Sequence, residues 1–177
     1  ELWPALRQCF IPMRGHGLVS HPLTEEQRRR ILPGGQPLTD TRRLFSGVRM
    51  LAGGRLHVSL DGPFLGRERA PYLATAETRI ARLYPGLGPV TWQEGWSGWV
   101  AMTTDHFPHV HELAPGLLTA YGYNGRGIVA AILIGQELAR RIGGANNDAL
   151  VFPKTAMAAV RGHALVNLPL RALVAGY

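Results

Sequence analysis

The sequence predicts an α+β fold, in which an antiparallel sheet with flanking helices is followed by a strand, a glycine turn and a helix. Three observations carry this reading. Short apolar runs in the first half are separated by Gly/Pro turns, and helix-spaced segments interrupt them. The second half pivots on Gly122-Tyr123-Asn124-Gly125-Arg126-Gly127, directly ahead of an apolar stretch. Three segments follow: residues 1–89, the sheet with its helices; residues 90–150, the last sheet strand and the strand-turn-helix; and a tail, 151–177.

In chain order, the apolar runs at residues 9–13, 17–20, 44–50 and 55–60 suggest strands. Ala52-Gly53-Gly54 is a hairpin signal, because glycine reaches positive φ without strain. Thr24 is a good N-cap for a helix over 25–31 with acidic residues in its first turn. Leu73, Ala76, Ile80 and Leu83 recur at helical spacing, which predicts a helix over 70–83 ended by Pro85. A tryptophan-rich strand is expected over 90–102, then a turn through 104–108 and a further strand over 116–121. The glycine cluster opens a helix over 128–142, closed by Gly143-Gly144. Its first half is apolar on every side, so it is expected to enter the protein nose first and to be buried.

Composition narrows the function. Of 177 residues, 46% are hydrophobic and 18% charged, a profile suited to a globular protein with one or two cores. The longest apolar run, 127–135, falls far short of the roughly 20 residues a bilayer requires, so no membrane role is expected. A single cysteine, Cys9, excludes an internal disulfide and a Cys-rich zinc site, so nothing points to an oxidising compartment and the cytoplasm is the default expectation. The start, Glu1-Leu2-Trp3-Pro4, has neither an initiator methionine nor a signal peptide, and is expected to lie in mid-protein. Net charge is +7, and every basic residue except Lys154 is arginine, which favours an acidic ligand. The run Arg28-Arg29-Arg30 follows Glu25-Glu26 on a surface helix, so local pairing explains it and nucleic acid is not expected.

An apolar strand, a glycine turn and a helix N-terminus together present free backbone N–H groups to an electron-rich ligand, and glycine lets that ligand approach the main chain. The spacing G-x-x-G-x-G is not the dinucleotide fingerprint, and no second strand precedes Asp148. A tight strand-to-helix connection without a ligand explains the same three glycines.

The run Trp96-Ser97-Gly98-Trp99-Val100-Ala101-Met102-Thr103-Thr104-Asp105-His106-Phe107-Pro108, followed by Tyr121-Gly122-Tyr123-Asn124-Gly125-Arg126-Gly127 and the apolar helix, resembles the C-terminal signature of the glycine oxidase and D-amino-acid oxidase superfamily. Within it, the sequence is most similar to γ-glutamylputrescine-oxidase-like proteins. The resemblance implies a substrate-domain sheet joined to a remnant of a FAD-binding domain. An N-terminal Rossmann half, absent from these residues, would hold the ADP part of FAD. It carries flavin contacts onto Gly122, Tyr123, Asn124, Gly125, Arg126, Gly127 and Ile128. Gly98 aligns with the flavin-linking cysteine of sarcosine oxidases, so FAD is expected to be non-covalent. Val100 stands where amino-acid oxidases place a carboxylate-binding arginine, which favours an amine substrate. The implied reaction is hydride transfer from a C–N carbon to flavin N5, giving an imine, with no protein nucleophile. Trp96, Trp99 and Tyr123 are expected to wall the substrate cavity; the competing reading makes the tryptophans sheet core. His57, Arg49 and Arg14 are unranked further contacts.

Two other readings remain from the sequence. His106, His109 and His111 near Asp105 and Glu112 suggest a metal site, with His109 and His111 on one face of a strand. A non-catalytic binding module derived from this family is the other. Without the Rossmann half the chain is expected to be inactive, and to expose an apolar surface favouring docking of that half or self-association, with 156–160 and 165–174 packing across the gap or on a second copy.

Overall fold

The computed structural model describes residues 3–41, 47–61, 70–145 and 151–163. Its described elements are antiparallel strands with three α-helices, the α+β class expected. Two compact units divide the chain, one formed by residues 14–99 and the other by 1–13 with 100–177.

The unit of residues 14–99 holds most of a five-stranded sheet in the order β2-β3-β4-β1-β5. Its strands are β1 (Ile11–Pro22), β2 (Leu38–Thr39), β3 (Gly47–Leu51), β4 (Arg55–Asp61) and β5 (Trp92–Met102). The two runs expected at 9–13 and 17–20 are one long strand from Ile11, preceded by a 3-10 helix over Pro4–Cys9. Arg14-Gly15-His16 does not break it, because Gly15 and His16 pair with Asp61 and Leu60 of β4. The expected strand at 44–50 is described from Gly47 onward, and the hairpin at 52–54 joins β3 to β4 with Gly53 and Gly54 at φ 75° and 70°.

Alternation along these strands separates two faces. Val48, Leu56, Val58, Leu60 and Leu18 are buried on one, under α2 (Ala70–Leu83), whose Tyr72, Ala76 and Ile80 join the same core. The opposite face carries Gly17, Val19, Gly47, Arg49, His57 and Ser59 in cross-strand register. At ~25 cal/mol per Å2 of apolar area, the buried branched residues make the first face the main stabilising contribution of this unit.

Helix α1 (Glu25–Arg30) opens with a complete capping box. Thr24 Oγ1 accepts from the Gln27 N–H at 3.2 Å, and Gln27 Oε1 accepts from the Thr24 N–H at 3.0 Å. The same Gln27 amide donates to the carbonyls of Leu87 and Pro89, tying the helix to the loop after α2. Arg28 and Arg29 pair with Glu25, and Arg30 donates to the carbonyls of Pro85 and Gly86. Arg28 and Arg29 are therefore paired locally, as their spacing suggested, whereas Arg30 is held by the loop after α2. Thr24→Ala should cost about 1 kcal/mol in chemical denaturation, with an unchanged m-value.

The second unit contains the hairpin β6 (His109–Ala114) and β7 (Leu117–Tyr121), then α3 (Gly127–Ile142). The N-terminal segment joins it: Phe10 packs on Tyr121 at 5.5 Å between ring centres, and Gln8 accepts from the Val160 N–H. Residues 151–155 lie against this unit. Thr155 N–H donates to Val110, and Lys154 pairs with Glu112 at 2.5 Å. Of the expected tail runs, 165–174 lies outside the described residues.

Helix α3 departs from expectation. Its apolar first half is not buried: Ile128 is 86% exposed, and Val129, Ile132 and Leu133 are also exposed. The inward stripe is Ile134, Glu137 and Arg141, spaced at 3 and 4 residues. Glu137 and Arg141 both bind the main chain of Phe152, through the Phe152 N–H and carbonyl respectively. A buried ion pair near its C-terminal end thus anchors the helix. An all-apolar stretch has no moment of its own to choose which side faces in.

Candidate functional site

The glycine turn is built by three left-handed positions: Gly122 at φ 79°, Asn124 at 51° and Gly125 at 82°. Gly122 is also sterically constrained, since a Cβ there would lie 2.4 Å from Thr103 Cγ2 and 3.1 Å from the Phe107 carbonyl oxygen. Asn124 is buried and bonded on both sides of its amide. Its Oδ1 accepts from the Thr103 N–H at 2.9 Å, while Nδ2 donates to Thr103 Oγ1 at 3.0 Å and to the Gly122 carbonyl. Thr103 Oγ1 in turn donates to the Phe107 carbonyl at 2.9 Å. This crosspiece fastens the turn to the segment after β5. Thr103 was not singled out in the sequence, and a polar residue at a strand end offers no local signal for it.

Because Asn124 turns inward, the turn offers a ligand its backbone. Helix α3 begins at Gly127 with no side-chain cap, so its first N–H groups keep no intrahelical or side-chain acceptor. Tyr123 lies beside Gly127, within 3.7 Å of where a Cβ would be, and burial raises its hydroxyl pKa, so it stays protonated at neutral pH. Arg126 and Ile128 point into solvent. Free donors, a helix dipole and small residues are what a flat, electron-rich ring requires, so the residues present fit the isoalloxazine of FAD.

Trp96, Gly98 and Trp99 lie on β5, in the other unit. Trp96 and Trp99 are 53% and 60% exposed, so neither is sheet core; Trp92 packs against the core instead. Alternation puts them on opposite faces. Trp96 lies flat across Gly17, where a Cβ would sit 2.3 Å from its ring, and stacks on His57 at 5.4 Å and 12°. Trp99 carries the Arg14 guanidinium at 5.2 Å, and Arg14 also donates to Ser97 Oγ at 2.7 Å. Gly98 has open space around it.

The structure also ranks the three unranked residues. Arg49 and His57 are cross-strand partners on the Trp96 face, with Arg49 Nε–H donating to His57 Nδ1 at 3.3 Å. That bond puts the imidazole proton on Nε2. Burial, and then the Arg49 charge, lower the His57 pKa. The neutral ring is thus favoured by folding: stability is complete above the unfolded value near 6.5 and declines as pH falls below it toward the depressed folded value. NMR titration should show His57 protonating below an exposed histidine, and Arg49→Gln should move its midpoint upward.

The histidines of the second unit do not converge. His109 Nε2 lies 3.2 Å from Asp105 Oδ1. His111 is buried, with Nδ1 donating to the Thr155 carbonyl at 2.6 Å and Nε2 accepting from the Tyr121 hydroxyl at 2.9 Å. Both its ring nitrogens are engaged. The two rings share a face at 5.9 Å, as strand geometry predicted, but among the described residues no three His, Cys, Asp or Glu side chains could hold a metal ion. Burial and the neighbouring Cys9 push the Tyr121 pKa far upward, which suits a hydroxyl that only donates. No described helix is long and apolar enough to cross a membrane.

The chain is 32% identical over 112 residues to a probable oxidoreductase OrdL of Rhizobium meliloti, covering 60% of this chain and 25% of that protein. A second OrdL, from Haemophilus influenzae, is 23% identical over 92% of this chain and 37% of its own. Among solved structures, glycine oxidase from Geobacillus kaustophilus superposes with a TM-score of 0.63 at 22% identity, covering 86% of this chain and 40% of that one. L-proline dehydrogenase from P. horikoshii gives 0.56 at 15% identity, covering 75% and 36%. Residues 2–141 match the DAO family, FAD dependent oxidoreductase, and the chain belongs to that family. It spans between a quarter and two fifths of the length of these relatives.

Proposed function

We propose that the chain supplies the substrate face and the flavin edge of a FAD-dependent amine oxidoreductase, similar to γ-glutamylputrescine-oxidase-like proteins. The observation that carries this is the uncapped N-terminus of α3, presented by a turn whose Asn124 side chain is directed inward. A N-terminal Rossmann half holds the rest of the cofactor, and the chain alone is inactive. The exposed apolar side of α3 is the surface that half covers, although self-association through the same surface is the competing occupant.

FAD, when bound, supplies the hydride acceptor for a substrate C–N carbon. The protein's part is binding and electrostatics. N–H groups at Gly127 and Ile128, with the helix dipole, would hold the electron-rich edge of the ring. Gly122 lets the turn pack closely against Thr103 and the Phe107 carbonyl, which fixes where α3 begins. Gly98 offers no thiol, so attachment there is non-covalent. Trp96 provides a flat aromatic wall for an alkylamine. Between Gly98 and Asp105 no arginine is present to clamp an α-carboxylate.

The test is anaerobic addition of primary amines and of α-amino acids to the flavoprotein completed by its FAD-binding half. Amines should bleach the visible flavin band, and α-amino acids should do so poorly. Bleaching by α-amino acids alone sinks the amine reading.

A further inference from the structure

The pair at the centre of the glycine turn is also the most reactive pair of its kind in the sequence. Asn124-Gly125 is the one Asn-Gly step; the other asparagines, Asn146, Asn147 and Asn167, are followed by Asn, Asp and Leu. Geometry explains why it is there. The Arg126 N–H donates to the Tyr123 carbonyl at 2.9 Å across Asn124 at φ 51° and Gly125 at φ 82°, which makes a type I′ turn. That turn needs positive φ at both central positions, and Asn-Gly meets the demand with least strain. The same pair carries a chemical hazard. Asparagine is thermolabile because its amide carbon can be attacked by the next main-chain nitrogen, and a glycine there puts no side chain in the way.

The folded turn holds the reacting atoms apart. A left-handed residue, with ψ at about 47°, has the next nitrogen nearly anti to its Cβ across the Cα–C bond, whereas ring closure needs the two close to eclipsed. The carboxamide is also drawn back. Oδ1 accepts from the Thr103 N–H at 2.9 Å, Nδ2 donates to Thr103 Oγ1 at 3.0 Å and to the Gly122 carbonyl, and the residue is only 6% exposed. We propose that Asn124 is a deamidation site latched by Thr103, converted to aspartate or isoaspartate only when the turn opens. In the opened turn the Gly125 nitrogen loses its proton and adds to Asn124 Cγ; the Cγ–Nδ2 bond breaks and ammonia leaves with that proton. Water then opens the cyclic imide at either carbonyl. Both products undo the latch. Aspartate sets a carboxylate against the Gly122 carbonyl with no donor between them. Isoaspartate adds a carbon to the main chain, so the Tyr123–Arg126 bond and the start of α3 lose their register. This chemistry stands whether or not the turn holds a flavin.

The test follows conversion at Asn124 by peptide mapping and mass spectrometry, in the purified full-length protein kept in mildly alkaline buffer, folded and in urea. In urea Asn124 should convert faster than Asn146, Asn147 and Asn167. Folded, it should convert at least about tenfold more slowly than in urea, because the reaction then waits on local opening. Thr103→Val removes the hydroxyl at nearly the same shape, and should speed conversion in the folded protein by about tenfold. Thr103→Ser keeps the hydroxyl and should convert as the native protein does, with all three sharing one rate in urea. Conversion as fast in the folded protein as in urea, or none at Asn124 in urea, overturns the proposal. So does a folded Thr103→Val protein that converts at the native rate. Should that variant not fold, hydrogen exchange at the native Thr103 N–H decides, since that group bonds Asn124 Oδ1. Its protection should match the slowing of Asn124 conversion, and exchange far faster than that slowing allows overturns the latch.

Discussion

Gly122→Ala is expected to be among the most damaging single methyl additions to the described part of this chain. Two costs combine. A left-handed residue with a Cβ loses about 1–2 kcal/mol. The added carbon also meets Thr103 Cγ2 at 2.4 Å and the Phe107 carbonyl at 3.1 Å, and the second of these is backbone that cannot rotate away. Thr103 cannot turn without giving up its bonds to Asn124 and Phe107. A total loss of about 3–5 kcal/mol is expected, in the range of overpacking added to backbone strain. Urea denaturation measures it. Gly135→Ala is the control, because that glycine sits inside α3 with open space around its Cβ position, and alanine there should stabilise by about 0.5–1 kcal/mol. Equal effects from the two substitutions would disprove the account of the turn.

Glu137→Ala should cost about as much by a different route. The side chains of Glu137 and Arg141 are only 9% and 5% exposed, at 3.4 Å, and Glu137 Oε1 also accepts from the Phe152 N–H at 2.6 Å. Removing the carboxylate leaves a buried guanidinium uncompensated and a main-chain donor without its acceptor, a loss of about 3–5 kcal/mol. Glu137→Gln keeps an acceptor for Phe152 and should be milder. The double change Glu137→Leu with Arg141→Met removes both charges and should recover much of the loss, since apolar residues of similar volume often replace a buried pair without penalty. A double mutant no more stable than Glu137→Ala would show that packing of residues 151–155, and not the buried charge, sets the effect.

Where local chemistry decides, the sequence was readable. The helix over Ala70–Leu83 follows from its apolar spacing, α1 from Thr24, and the β3–β4 hairpin from its glycines. The glycine turn and the start of α3 were placed within one residue. Readability ended where the partner is distant in the chain. His111 finds Thr155 at a separation of 44 residues, and nothing in His-Val-His announces that. Trp96 and Trp99 were weighed as core because large aromatics usually are; only the pairing of β5 beside the glycine at position 17 shows why Trp96 lies across the sheet. The apolar start of α3 signalled burial, but the Glu137 and Arg141 anchor turned it outward.

The unit that carries the glycine turn is assembled from both ends of the chain, and this orders events during synthesis. His163 closes on the Phe10 carbonyl across 153 positions. At the ribosome's roughly 5–20 residues per second, the opening segment waits on the order of ten seconds or more for that partner. The intervening residues 14–99 have their own core and can fold meanwhile. Translation thus leaves residues 3–13, with Trp3, Phe10 and Ile11 among them, to wait for partners made more than a hundred residues later, and a pause in elongation before Val160 would lengthen that wait.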